Sequence, residues 1–194
     1  TTAATTTRAP ASYRSSIETV TEEQLGSSYR TDLACAQPAE LRAVNVTHWG
    51  YDGAVHDGRL IVHQDEAENI AAIFGDLYAA RFPIQQIAPV DEYGGDDQAS
   101  MRANNTSGYN CRTVAGSTSL SNHALGAAVD INPLHNPYVK GDTVDPPEGE
   151  PWADRSDQRP GMIYGGDVVV TAFGARGWVW GGYWSSPDYQ HFDK

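Results

Sequence analysis

His123 and Asp130 stand seven residues apart, and near the C-terminus Asp188 precedes His191 by three. Imidazole and carboxylate are donors that hold Zn2+ through nitrogen and oxygen. Two His and one Asp fill three of its four tetrahedral positions and leave the last for water. A further carboxylate that is not a ligand can take that water's proton. The four side chains together are the parts of a zinc centre able to hydrolyse a bond. Singly they say little, because a His in a polar loop or an Asp in an alternating strand is ordinarily a surface residue.

The elements around them must bring the parts together. Residues 127–132 (Ala-Ala-Val-Asp-Ile-Asn) alternate, so Val129 and Ile131 are expected to face the core while Asp130 and Ala128 face the other way. A fully extended strand would carry His123 roughly 20 Å from Asp130. Shared ligation therefore requires the chain to turn, with Gly126 supplying the freedom and His123 on a bend or short helix folded back over the strand. Trp178-Val179-Trp180 and Tyr189 to Phe192 read as two strands joined by residues 181–187. The two halves of the site are thereby predicted on neighbouring strands of one antiparallel sheet.

Elsewhere, Thr21-Glu22-Glu23-Gln24 has the spacing of a capping box and predicts a helix start. Residues 41–48 and 59–63 read as a strand and its return, across turn-rich Gly50 to Gly58. The clearest helix is predicted from Asp65 to Phe82, with Ala67, Ile70, Phe74 and Leu77 on one face and Pro83 ending it. Residues 84–90 read as a strand. Two long polar loops follow, 91–121 and 133–161, on either side of the proposed ligands. A last helix is predicted over 167–175.

With 194 residues, 40% of them hydrophobic and 10% aromatic, the chain is read as one soluble domain. The net charge of −12 reflects few lysines, Lys140 and Lys194 alone against eleven Arg. Such a surface repels polyphosphates, so nucleic acid is not an expected partner, and it gains nothing on anionic membranes. No run of about 18 apolar residues exists to span a bilayer. The Thr-rich start is read as a mature N-terminus whose export signal has gone, with residues 1–17 a flexible leader and 18–194 the domain. Cys35 and Cys111 lack the spacing of a metal pair. In an exported protein they read as one disulfide, worth roughly 4 kcal/mol in the chain-entropy model; the alternative is two buried thiols.

Ser121-x-His123-x-x-Gly126-x-Ala128-x-Asp130-Ile131 with Asp188-x-x-His191-Phe192 resembles the zinc D-Ala-D-Ala carboxypeptidase family. That family includes VanY-type carboxypeptidases and phage L-alanyl-D-glutamate endolysin peptidases, within a wider group shared with lysostaphin-type enzymes and the hedgehog signalling domain. The stretches Asn104 to Arg112, Asn132-Pro133, Asn136-Pro137-Tyr138 and Gly177 to Gly182 look like the endolysin-like branch. The resemblance spans roughly residues 25–193. It implies an α+β domain: an antiparallel sheet, helices on one face and a zinc cleft on the other.

Carried over by position, the resemblance makes His123, Asp130 and His191 the zinc ligands and Asp188 the catalytic acid/base. Arg112 would stabilise the oxyanion or a substrate carboxylate, with Arg102 its rival. VanY-type members carry Glu where Asp188 stands, and Arg112 lies closer to His123 than in their pattern. Ser121 and Tyr189 are further candidates for substrate contact, each with a structural alternative in a cap or in sheet packing. His48, His56, His63 and His135 are read as structural, the acids Asp91, Glu92, Asp96 and Asp97 as a capping loop, and Trp178, Trp180 and Trp184 as core and cleft wall. The implied function is a secreted, monomeric zinc peptidase of the bacterial cell wall, acting on peptidoglycan stem peptides as an endopeptidase or a D-Ala-D-Ala carboxypeptidase. The rivals are a non-catalytic zinc module of hedgehog type and a zinc amidase.

Overall fold

The computed structural model describes residues 12–194. In chain order it contains β1 (Ser15–Thr19), α1 (Glu22–Leu25), β2 (Leu41–Trp49), β3 (Val55–His63) and α2 (Ala67–Ala79). Then come β4 (Gln86–Ile87), α3 (Asp97–Arg102), β5 (Asn105–Thr106) and β6 (Ala128–Asp130). The chain closes with β7 (Tyr138–Lys140), β8 (Thr143–Asp145), α4 (Val168–Gly174), β9 (Val179–Trp180) and β10 (His191–Asp193).

The architecture is mixed α and β with antiparallel sheets, although the strands do not form the one sheet expected. β1-β2-β3 make a three-stranded antiparallel sheet, and β6-β10-β9 make a second, smaller one. β4 and β5 pair in parallel, and β7-β8 form a hairpin. The core lies between the sheets and the helices. Val44, Val46, Leu60 and Val62 of the first sheet meet Ile70, Phe74 and Leu77 of α2, and through them Val129, Phe173 and Phe192. Phe173 and Phe192 stack with centroids 4.1 Å apart. Each such buried side chain contributes about 1.5–3 kcal/mol.

α2 carries the apolar face its spacing predicts, but the regular helix is shorter than 65–82. A 3-10 turn over Gln64–Glu66 precedes it, because the His63 side chain accepts the Asp65 N–H. α4 opens on three valines, poor helix formers. Asp167 caps it at Val170 N, and burial of Val169 and Phe173 overrides the propensity. Thr21 makes the capping box of α1.

Several boundaries differ from the sequence expectation. Residues 1–11 of the expected leader lie outside the described residues. Residues 15–17 are no leader, since β1 pairs along β2 with Ile17 opposite Val44. Only Gln86–Ile87 of the predicted strand 84–90 is ladder-paired. The expected loop 91–121 holds α3, capped by Asp96, and β5. The expected loop 133–161 holds the β7-β8 hairpin and a 3-10 helix over Pro147–Trp152. These elements are too short for their periodicity to register. Cys35 and Cys111 are joined in a disulfide with Cα atoms 5.7 Å apart, inside a second apolar cluster with Leu41, Ile61 and Tyr109. No helix among the described residues is long and apolar enough to cross a membrane.

Candidate metal centre

The turn required between His123 and Asp130 is a 3-10 turn over Asn122–Leu125. Ser121 caps it by accepting the His123 N–H, so this hydroxyl orients a ligand-bearing turn. Gly126 ends it at φ +67°, a left-handed conformation that an L side chain resists. Its carbonyl accepts the His63 N–H at 2.9 Å, pinning the turn to β3. A Cβ on Gly126 would sit 2.5 Å from His63 N.

Val129 of β6 and Ile131 just beyond it face the core, and Asp130 faces the opposite side. β10 runs antiparallel beside it with His191 directly opposite Asp130. The turn and the two strands converge three ligand atoms. His123 Nε2 lies 3.1 Å from Asp130 Oδ2, and His191 Nδ1 lies 2.9 Å from Asp130 Oδ1. The two ring nitrogens are 3.3 Å apart. A tetrahedral zinc with bonds of about 2.0–2.1 Å has ligand–ligand edges of about 3.3 Å, so these residues fit a zinc ion. Among the described residues this is the one His/Cys/Asp/Glu group with ligand atoms so gathered, all within 4.8 Å.

The tautomers follow from the surrounding partners. His123 Nδ1 lies 2.6 Å from the carbonyl of Gly108, which fixes the proton there and leaves the Nε2 lone pair for metal. His191 Nε2 faces Asp193 Oδ2 at 3.9 Å, too long for a hydrogen bond. Nδ1 instead lies 2.9 Å from Asp130 Oδ1, which holds a proton there, so Nδ1 can serve a metal only once that proton is released and the remaining one sits on Nε2, toward Asp193. Asn122 donates to the same Asp193 oxygen at 3.0 Å, tying the His123 turn to β10.

One short run supplies much of this support. Ser107 exchanges both backbone hydrogen bonds with Asp130, Gly108 accepts from His123, and Asn110 N–H donates to the His123 carbonyl. Cys111, next along, is fixed by the disulfide and by its N–H to Ser28. Gly108 passes so close to β3 that a Cβ would meet the Ile61 carbonyl at 2.3 Å. Sequence reading missed Gly108, Asn122 and Asp193 as contributors. Backbone carbonyls leave no residue-type signal, and Asp193 stood just past a motif that was read to end at Phe192.

Burial alone would raise the Asp130 carboxyl, but the His123 and His191 imidazoles beside it win and hold it well below the usual carboxylate range. Burial works against a charged His191, yet the hydrogen bond and charge of Asp130, aided by Asp188, push it up to about 9. Asp188 is pushed up to about 7, chiefly by burial and further by the Asp130 charge, against the pull of His191 and His123. A bound dication reverses this balance, favouring neutral imidazoles and ionised carboxylates.

All four motif residues line one cleft of about 600 Å3. Asp188 is held there by its N–H to the Gly181 carbonyl and by a bridge to Tyr138, and its Oδ1 is buried with no hydrogen-bond partner. Arg112 also reaches the cleft, with Nη2 2.9 Å from Asp97 Oδ2 and Nε buried without a partner. Arg102 is exposed on the last turn of α3 and is not among the lining residues. Tyr189 is not brought to the cleft either: it stands in the bend just before β10 and is not among the residues lining it. Its ring packs on the core under the Arg155 guanidinium, 4.4 Å away.

Trp178 and Trp180 are core, whereas Trp184 is 42% exposed and walls the cleft beside His191. His135 stacks on Trp152, His56 pairs with Asp52, and His63 caps the turn before α2. His48 lies buried in β2 opposite His56. In the acidic loop Asp91 accepts from Ser27 N, Asp96 caps α3 and Asp97 pairs with Arg112.

Residues 115–194 match the family model of the D-alanyl-D-alanine carboxypeptidases. This is the family that the sequence motifs resemble, and the match contains His123, Asp130, Asp188 and His191. It begins after the Gly108 and Arg112 run, so part of the site's support comes from outside the matched segment. No curated protein and no solved structure gives a significant match.

Proposed function

We propose that this chain is a zinc-dependent peptidoglycan peptidase that hydrolyses a peptide bond of the stem peptide or cross-link. The carrying observation is the convergence of His123, Asp130 and His191 in a cleft that also buries Asp188 with its Oδ1 unpartnered, within a segment matching the D-alanyl-D-alanine carboxypeptidase family model. His123, Asp130 and His191 would hold the zinc, which when bound acidifies water and polarises a carbonyl.

The other residues supply the rest. Asp188 Oδ1 has no protein donor, so it is available to a water or a substrate amide. Burial raises its proton affinity and a bound dication would lower it, and a group held between these opposing pulls suits a role in which a proton is both taken up and released. The Arg112 Nε–H is a free donor for charge developing on the carbonyl oxygen. Leu120 and the exposed face of Trp184 give the substrate backbone an apolar wall. The disulfide suits an extracytoplasmic compartment.

A module that merely kept zinc would need neither Asp188 nor Arg112 in the cleft. The test is digestion of purified peptidoglycan followed by mass analysis of the products. Peptides with a newly freed amine and carboxylate are expected. The activity should disappear on chelation, return with zinc, and fall about 10²–10⁴-fold in Asp188→Ala while zinc binding persists. A zinc-loaded protein that releases nothing overturns the proposal, and release of intact stem peptides from the lactyl group would make it an amidase.

A further inference from the structure

If the cleft is that of a peptidase, its walls restrict what the substrate can bring. The lining carboxylates are Asp97, Asp130, Asp145, Asp188 and Asp193, against the single guanidinium of Arg112. One arm of that guanidinium already holds Asp97 at 2.9 Å. A free substrate carboxylate is best gripped by two parallel N–H bonds from the fork, so it would first have to displace Asp97. The free Nε–H can still serve a developing oxyanion. The cleft is thus poorly equipped for a C-terminal carboxylate and rich in acceptors.

Asp145 stands out among these acceptors. It lies opposite Tyr138 in the β7-β8 hairpin, and Tyr138 bridges in turn to Asp188. Residues paired directly across strands share a face, and all three line the cleft. Two strand spacings put Asp145 about 10 Å from Asp188, the reach of a long side chain from a bond at the reaction centre. Asp145 Oδ1 accepts Gln98 Nε2 at 2.8 Å, which fixes the carboxylate without neutralising it. A second, independent sign comes from Gln190. It is only 3% exposed and lines the same cleft, yet its Oε1 has no donor. A buried acceptor without a donor is costly and is met when a ligand supplies an N–H.

We propose that Asp145, on the row Asp188–Tyr138–Asp145, is a subsite for a primary ammonium on a long substrate side chain beside the scissile bond, with Gln190 Oε1 accepting a substrate amide N–H. The substrate class is then an internal peptide bond flanked by a diamino acid with a free side-chain amine. The inference rests on the peptidase reading, and the chain's net charge of −12 attracts such a cation.

The test uses the zinc-loaded protein and two end-blocked peptides built around the bond identified in digested peptidoglycan. They differ only in whether the diamino side chain is free or acetylated. The free amine should be preferred about ten-fold or more in kcat/KM. Asp145→Asn, which keeps an acceptor for Gln98, should collapse the preference to about unity, and Asp145→Glu should restore most of it. Binding of the free-amine peptide to the metal-free protein, by calorimetry, should weaken in Asp145→Asn alone. Equal cleavage of the two peptides, a preference that survives Asp145→Asn, or a peptidoglycan bond with no diamino neighbour overturns the subsite and leaves the peptidase reading standing. Failure on both peptides and on peptidoglycan itself overturns the peptidase reading and the subsite with it.

Discussion

Replacing Gly126 by Ala should damage the fold and the metal centre together, because this glycine joins the His123 turn to β3. Its φ of +67° costs an L residue about 1–2 kcal/mol. The new Cβ would lie 2.5 Å from His63 N and 2.9 Å from Leu41 Cδ2, so backbone must move; such overpacking costs about 1–3 kcal/mol. The movement also strains the 2.9 Å bond from His63 N–H to the Gly126 carbonyl. A loss of roughly 3 kcal/mol follows, a fall in Tm of about 6–12 °C for a chain of this size. His123 rides on the same turn, and zinc affinity should weaken about ten-fold or more, as when a group that orients a ligand is lost. The comparison is Gly53→Ala, at φ +71° with nothing within 4 Å of its added Cβ. That variant should lose only about 1–2 kcal/mol, with zinc affinity unchanged. Thermal unfolding and chelator competition measure both quantities. If Gly126→Ala behaves like Gly53→Ala in the two assays, the turn does not position the ligand as argued.

Zinc affinity should rise with pH up to about 9, because His191 in the metal-free protein holds its proton that far through Asp130 and must release it to bind metal; chelator competition between pH 6 and 9 checks this, and a flat profile refutes it. The same shift has the opposite effect on the metal-free fold: a raised folded-state pKa stabilises below His191's unfolded value of about 6.5 and is lost as pH passes about 9, so denaturant midpoints should fall over that window. Reducing the Cys35–Cys111 disulfide should cost about 2–5 kcal/mol, read by urea unfolding with and without reductant. Arg112→Ala should lower kcat about 10²–10³-fold, whereas Arg102→Ala, outside the cleft, should leave it within about two-fold.

The parts of the site legible in the sequence are those fixed by strand parity and by turns. Val129 and Ile131 facing the core oblige Asp130 to face the cleft, and seven residues between His123 and Asp130 oblige a turn that only a residue like Gly126 ends cheaply. Parity misleads at Tyr189, which matches His191 and Asp193: β10 starts only at His191, and the bend at 189–190 before it turns the ring away from the cleft. Arg112 and Arg102 could not be separated from sequence, because the helix that turns Arg102 outward is only six residues long and gives no periodic signal. β2 and β3 were legible because they are nine residues each, and the three strands of the second sheet, although of three residues or fewer, through the alternation around Asp130 and the Trp-x-Trp and His191-Phe192 runs. The leader was overextended because Ser15–Thr19 is polar, its pairing to β2 exposing nearly every side chain.

The site is also not contained in the segment that carries its motifs. The family match starts at residue 115, yet Ser107 pairs with Asp130, Gly108 sets the His123 tautomer, and Arg112 reaches the cleft, all from before it. Short strands bury little apolar area, so β6 and β10 alone would not hold three ligand atoms within hydrogen-bonding distance of one another. The run 107–112 does so by bonding β6 and the His123 turn on one side and Ile61 of β3 on the other, through Tyr109 N–H at 2.7 Å. Cys111 lies within that run, and its disulfide to Cys35 closes it against the first sheet's apolar cluster. The covalent link therefore braces the backbone that supports β6 and the His123 turn. Loss of the disulfide should weaken zinc binding even where the fold survives, and unchanged affinity in a folded Cys35→Ser/Cys111→Ser protein would show that the short strands suffice.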